Sequence, residues 1–267
     1  MAKAALNLPL NSPFSASMGG FSVFTRRDTG KIVVRTKGGA SAEKIKNDTS
    51  FARTRLQMAE FAGCSTAARM MREAMLTVKD LSNISLHGQF VKLISRIREM
   101  DTNPAGQRSI IFSRGNFLID GFSINKDVTI DSVISSPITF NIDRNTHTAV
   151  VNLPPLSPGM NFNSPWTYPF YRFKINLGII RDMVFEDKKG YQPILPDSKA
   201  YTATLNTEWS ETKNKQLAQE VGLHLENPVF NEHCHLLLSI GIEFGTAEYG
   251  KIKAIKHAGC GKILGMA

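Results

Sequence analysis

No apolar run in this 267-residue chain approaches the roughly 18 residues that a membrane-spanning helix needs. The opening MAKAALNLPLNSPFSASMGGF has a single lysine and an apolar run broken by Asn7 and Pro9, too short for the hydrophobic part of a secretory signal. Cysteine is equally scarce. Cys64, Cys234 and Cys260 form an odd, widely spaced set without a CxxC pair, which argues against a disulfide framework and fits buried thiols in a reducing compartment. The expectation is a cytoplasmic protein with no membrane partner.

Motifs that carry chemistry are missing as well. KGGAS lacks the spacing and the Gly-Lys-Ser/Thr ending of a phosphate-cradling loop, and there is no GxSxG elbow. HAGCGKILG brings Gly259, Gly261 and Lys262 together, but no helix follows, so it reads as a terminal turn; anion capture relies on helix N-terminal amides. In EHCHLLL, alternation at a strand start sends His233 and His235 to one face and Cys234 to the other. At most two ligands converge there, and with Glu232 the stretch reads as a polar strand end rather than a metal site. Cys64 and Cys260 lack any local signature of a nucleophile, and Glu186 and Asp187 precede a solvated KKG turn. RNP-like aromatics, zinc fingers and a helix-turn-helix are absent. No catalytic residue, metal or cofactor is assigned, and a non-enzymatic protein is expected.

What the chain does have is lopsided charge. Its net charge is +9, yet residues 1–114 hold 18 Lys/Arg against 8 Asp/Glu, and the remainder 14 against 15. Within residues 23–55 nine basic residues meet three acidic ones. Such a surplus suits an acidic partner, nucleic acid among them, although single-sign charge also serves solubility alone.

Residues 1–19 are rich in Ser, Asn, Pro and Gly without clear period, and read as an extended arm. GFSVFTR and KIVVRTK, separated by Asp28, Thr29 and Gly30, predict a β-hairpin over residues 20–40. In its second strand Lys31, Val33, Arg35 and Lys37 share one face, and Ile32, Val34 and Thr36 the other. Ser41 can cap a short helix through Lys46, and Asp48 the next. A helical hairpin is expected over residues 41–107. Its first helix places Phe51, Met58, Phe61, Ala62, Ser65, Ala68, Met71, Met75 and Val78 inward, and Arg53, Gln57, Glu60, Arg72 and Lys79 outward; the second has Leu86, Phe90, Leu93, Ile94, Ile97 and Met100 on its apolar face. Arg53 and Arg55 sit at a helix start, which the dipole disfavours, with Glu43, Asp48 or Glu60 as neighbouring partners.

From residue 108 to 267 the period becomes strand-like. FLIDGF, VTIDSVI, ITFNID, TAVVNL, YRFKINLGII, AYTATLNTEW, HLLLSIGIEF and KIKAIKHA are eight candidate strands, with only a weak helical candidate at 213–221. The fold class expected is α+β: arm and hairpin, helical hairpin, then an antiparallel β-sandwich.

The run VVRTKGGASAEKIKNDTSFARTRLQMAEFAGCSTAARMMREA, with its VRxKGG strand end and FxRTRxxxxEF helix entry, and the late LLLSIGIEFGTAEYGKIKAI resemble an uncharacterised family of bacterial proteins. The likeness spans a quarter of the chain; Gly245 and EYG stand where that pattern has an aromatic residue and an Asn-Gly turn. It implies no activity. A basic hairpin followed by Arg-containing helix starts is also similar in style to small structural proteins of phage-like particles.

The functional expectation is a non-enzymatic protein whose partner is itself, assembling into a filament, tube or phage-like particle. Phe14, Phe21, Val23, Ile32 and Val34 are the expected contacts, because a two-stranded hairpin alone is marginal in water. The alternative is sequence-independent nucleic-acid binding by residues 26–55, through Arg26, Arg27, Lys31, Arg35, Lys37, Lys44, Lys46, Arg53 and Arg55.

Overall fold

The computed structural model describes residues 15–26, 29–36, 38–186, 189–195 and 201–267. The chain divides into two compact units, residues 1–54 and 55–267. In the first, β1 (Ser15–Met18), β2 (Phe21–Thr25) and β3 (Ile32–Thr36) form an antiparallel sheet in that order. The expected hairpin is present, closed by Arg26 N–H donating to Lys31 O at 2.9 Å and Gly30 N–H to Arg26 O at 2.8 Å. Gly30 takes φ +65°, a conformation glycine adopts without steric cost. The third strand, β1, comes from residues read as the arm.

Ser41 caps α1 (Ala42–Asn47) by accepting the Lys44 N–H, and Asp48 caps the 3-10 turn that follows by accepting the Ser50 N–H. Both caps are as the sequence predicts. Beyond them runs α2 (Ala52–Ala74), then a 3-10 turn at Val78–Leu81 and α3 (Leu86–Glu99). Two single-turn helices follow, α4 (Asn116–Ile119) and α5 (Ile130–Val133).

The strands of the second unit are β4 (Thr139–Asp143), β5 (Thr148–Leu153), β6 (Phe170–Arg181), β7 (Met183–Glu186), β8 (Gly190–Pro193), β9 (Thr202–Asn206), β10 (Ser210–Glu211), β11 (Gln219–His224), β12 (Cys234–Glu248) and β13 (Lys251–Met266). One sheet runs β10-β6-β12-β13, with β9 also paired to β6; a second runs β11-β5-β4; β7 and β8 form a separate hairpin. All pairings are antiparallel. The two larger sheets stack as the expected sandwich, and the helices cover the opposite face of the larger one.

Strand alternation sorts these layers. Tyr171, Phe173, Ile175 and Leu177 of β6, with Leu236, Leu238, Ile240 and Ile242 of β12, face Val151, Leu153, Val221 and Leu223 of the smaller sheet. The alternate positions Asn176, Gly178, Leu237 and Gly241 turn to the helices. A Cβ on Gly178 would sit 2.5 Å from the Ala74 Cα, and one on Gly241 2.4 Å from Leu81. The helical layer therefore lies close against the sheet, and Asn176 joins them by accepting the Thr77 N–H at 3.0 Å and the Val78 N–H at 2.9 Å.

That proximity corrects the inward face expected for α2. Gly63, Cys64, Ala67, Ala68, Met71 and Ala74 are buried, whereas Met58 and Phe61 are exposed. Small side chains face inward because the gap is narrow: a Cβ on Gly63 would lie 2.5 Å from the Tyr191 ring. Glu60, expected in solvent, is buried, where it accepts the Gly106 N–H at 2.7 Å and pairs with Arg98 at 3.2 Å and Arg108 at 3.7 Å. For α3 the expected face is buried from Leu86 to Ile97, but Met100, expected on the same face, caps the helix end and is exposed.

FLIDGF and VTIDSVI are not strands. They contribute α4 and α5, the latter capped by Thr129, and residues 121–124 instead bond the edge of β13 through Gly121, Phe122 and Ile124. Residues 213–221 hold no helix but lead into β11, which buries Val221 against the sandwich core. HAGCGKILG is strand rather than terminal turn. Gly259 and Gly261 sit within β13, where their missing side chains admit Leu81 and Val78. The EYG turn closes β12 onto β13 with Tyr249 and Gly250 both at positive φ.

Replacement of Gly178 by Ala is expected to cost about 1–3 kcal/mol through overpacking against Ala74. Urea unfolding checks it: the midpoint should fall with the denaturant slope unchanged.

Candidate assembly surface

The first unit carries every described residue singled out as an assembly contact. The register sets Phe21 opposite Met18 and Thr36, and Val23 opposite Ala16 and Val34, while Ile32 pairs with Thr25. Directly paired residues project to the same side of a sheet, so Ala16, Met18, Phe21, Val23, Ile32 and Val34 make one continuous apolar face. Met18 is 70% exposed, Phe21 50%, Ile32 68% and Val34 61%; Val23 is partly buried. None of the described residues from 15 to 54 is buried. Phe14 lies outside the described residues. Met18 and Ala16 went unnoticed in the sequence because SASM holds one large apolar residue, too few for a visible alternation.

The opposite side of this sheet carries Ser22, Phe24, Val33 and Arg35, with the Arg35 guanidinium 5.4 Å from the Phe24 ring centre. The stripe read along β3 therefore keeps Arg35, and exposed Lys31 precedes the strand. Arg27 and Lys37 lie outside the described residues. Arg26 flanks the hairpin turn, and Lys44 and Lys46 occupy the last turn of α1, where positive charge suits the helix dipole. Arg53 is exposed at the start of α2, while Arg55 is partly buried and belongs to the second unit. Of the acids weighed as partners for these two, Glu60 is engaged by Arg98 and Arg108.

In the second unit the histidine-rich strand start is arranged as alternation predicts. His233 and His235 both turn to Asp182, and Cys234 Sγ lies 3.3 Å from Asn231 Oδ1. Buried Asp182 accepts the Phe112 N–H at 2.8 Å and stands 2.9 Å from His235 Nε2. With Nε2 donating to the carboxylate, Nδ1 is left to accept from Arg144 Nη1 at 3.4 Å. A guanidinium thus occupies the nitrogen that a metal would need. Among the described residues no group of three or more His, Cys, Asp or Glu is placed to hold a metal ion.

One contact resembles a catalytic pair: Ser65 Oγ lies 3.1 Å from His87 Nε2. His87 Nδ1 is buried without a partner among the described residues, so no carboxylate orients the ring. All three cysteines are free and buried. Burial raises the Cys64 pKa, and burial followed by the Asp131 charge pushes Cys260 up to about 12. Thiols held neutral in this way are poor nucleophiles.

Compared with protein-family models, curated proteins and solved structures, the chain matches none. Among the described residues no helix is long and apolar enough to cross a membrane.

At pH 8 a thiol reagent should leave all three cysteines unlabelled until denaturant is added. Because the folded-state pKa of Cys260 is raised from 9.0 to about 12, the stability tied to its neutral form is complete below pH 9 and is lost as pH climbs toward 12. Denaturation midpoints between pH 8 and 11 should fall less steeply for Cys260→Ala, although that variant is weaker throughout.

Proposed function

We propose that this chain is a non-enzymatic structural protein that self-associates through its N-terminal sheet into a filament, tube or phage-like particle. The observation that supports this is the uncovered apolar face of Met18, Phe21, Val23, Ile32 and Val34 on a sheet whose described residues include none that is buried. A face of this kind is stabilised by burial against another surface, at about 25 cal/mol per Å² of apolar area. Among the described residues, the outer strands β1 and β3 each pair with β2 alone, and a sheet edge of that kind is a template for further pairing. A repeated contact between different surfaces of successive copies propagates into an open polymer when the rotation does not close. Free, buried cysteines suit a reducing compartment, and the cytoplasm is the proposed location.

A second reading is sequence-independent nucleic-acid binding. It is favoured by the placement of Arg35 on the face opposite the apolar one, and by the exposed Lys31, Lys44 and Lys46 of the same unit. One face could then contact protein while the other meets phosphate.

Light scattering and negative-stain microscopy of the pure protein should reveal large species without added ligand. Phe21→Glu with Val34→Glu should abolish them while the denaturation midpoint of the second unit stays put. A monodisperse parent monomer at high concentration would end the assembly reading. Retardation of DNA or RNA with a steep salt slope, weakened by neutralising Arg26, Lys31 and Arg35, is what the second reading requires; unchanged mobility at low salt removes it.

A further inference from the structure

The two sheets of the sandwich part along one side. Between the chain leaving β9 and the residues leading into β11 lies a cavity of about 570 Å³, within the range of about 300–1,000 Å³ that small-molecule clefts occupy. Its floor is apolar: Leu153, Leu156 and Phe173 line it and are buried, and partly buried Leu205 joins them. Toward solvent the lining turns polar, with Asn206, Glu208, Gln216 and Gln219. Leu217 lines the cavity as well and is 83% exposed, an apolar side chain that a bound molecule would cover. An apolar floor beneath a few polar groups is the usual composition of a small-molecule site.

Charge selects among the ligands that such a space admits. Although the chain carries +9 overall, no Lys, Arg or His lines the cavity, and Glu208 is the one charged residue among the lining. Arg172 stands between the lining residues Tyr171 and Phe173 in β6, but its charge is already matched. Its guanidinium lies 4.5 Å from the Trp209 ring centre and pairs with Glu243. Among the described residues, no hydrogen bond or ion pair engages the side chains of Asn206, Glu208, Gln216 or Gln219. A carboxylate only accepts hydrogen bonds, and each amide adds a carbonyl oxygen that accepts them too. A protonated amine is the complement of that set, with three donors and no acceptor. An anion would meet a like charge instead.

We propose that this opening binds a small organic cation, a primary amine carried on an apolar body. The body occupies the space over Leu153, Leu156, Phe173 and Leu205. At the mouth the ammonium group donates to the Glu208 carboxylate and to the amide oxygens beside it, and charge-assisted hydrogen bonds of this kind are about twice as strong as neutral ones. The site lies wholly within the second unit and stands whether or not the chain self-associates.

The test uses three probes that share one apolar body and differ in charge: phenethylamine, 2-phenylethanol and 3-phenylpropionate. Titrated into the full-length protein at pH 7 and followed by ligand-observed NMR, the amine should bind, the alcohol should bind about tenfold more weakly, and the acid should show no binding. Glu208→Gln, a change of equal size at an exposed position, should bring the amine down to the affinity of the alcohol. The alcohol's own affinity and the denaturation midpoint should stay as in the parent. Leu217→Cys then locates the site, because the native thiols are buried and the new one is accessible. Phenethylamine should slow its alkylation by iodoacetamide. An amine that binds no better than the alcohol or the acid, or an amine affinity unchanged by Glu208→Gln, overturns the proposal. So does alkylation at the same rate with the amine bound, or a failure of all three probes to bind.

Discussion

The close seating of the helical layer on the glycine-bearing face of the larger sheet is the constraint on which the second unit depends. Gly178 admits the Ala74 backbone, Gly241 and Gly259 admit Leu81, and Gly261 admits Val78. Side chains at those sites would hold the layers apart by the thickness of a methyl group or more. Asn176 could then no longer reach the Thr77 and Val78 amides. Dense packing of this sort is intolerant of added atoms, because the interior has no slack volume to receive them. It also leaves α2 little choice: the small residues of the helix must turn inward, and Met58 and Phe61 are displaced outward.

The two units contrast sharply in what they bury. Residues 55–267 enclose two apolar clusters, one inside the sandwich and one between helices and sheet. They also hold buried charge in satisfied groups, with Glu60 between Arg98 and Arg108, and Glu243 beside Arg172 and Lys174. Such groups cost several kcal/mol when one partner is lost. None of the described residues of the first unit is buried, and its sheet presents Met18, Phe21, Ile32 and Val34 exposed. Apolar area left in water forgoes the roughly 25 cal/mol per Å² that its burial would contribute.

Local signals were readable wherever a short segment decides its own conformation. Ser41 and Asp48 announced helix starts because their side chains bond amides two or three residues on. The hairpin turn was visible in Thr29 and Gly30, and the faces of β3 followed from its alternation. His233 and His235 turning together against Cys234 is the same rule at work. The face of α2 was not readable, since apolar size suggested Met58 and Phe61 while the buried side is mostly Gly, Cys and Ala, with Met71 and the paired Glu60. FLIDGF and VTIDSVI misled for a related reason. Short apolar runs carry no period long enough to separate a strand from one helical turn, and contact with β13 settled their form.

The amino-acid sequence alone determined the α+β class, the antiparallel pairing, the caps, the second helix face and the concentration of positive charge in the first half, because each depends on neighbours within a few residues. Tertiary structure alone decided that Met18 joins Phe21 and Val34 on one face, that Glu60 and Asp182 are buried and paired, and that an opening remains beside Tyr171. Glu60 meets the Gly106 amide 46 positions along the chain, and Asp182 the Phe112 amide 70 positions away. Such proximity comes from layer packing and sheet register, which no local pattern encodes.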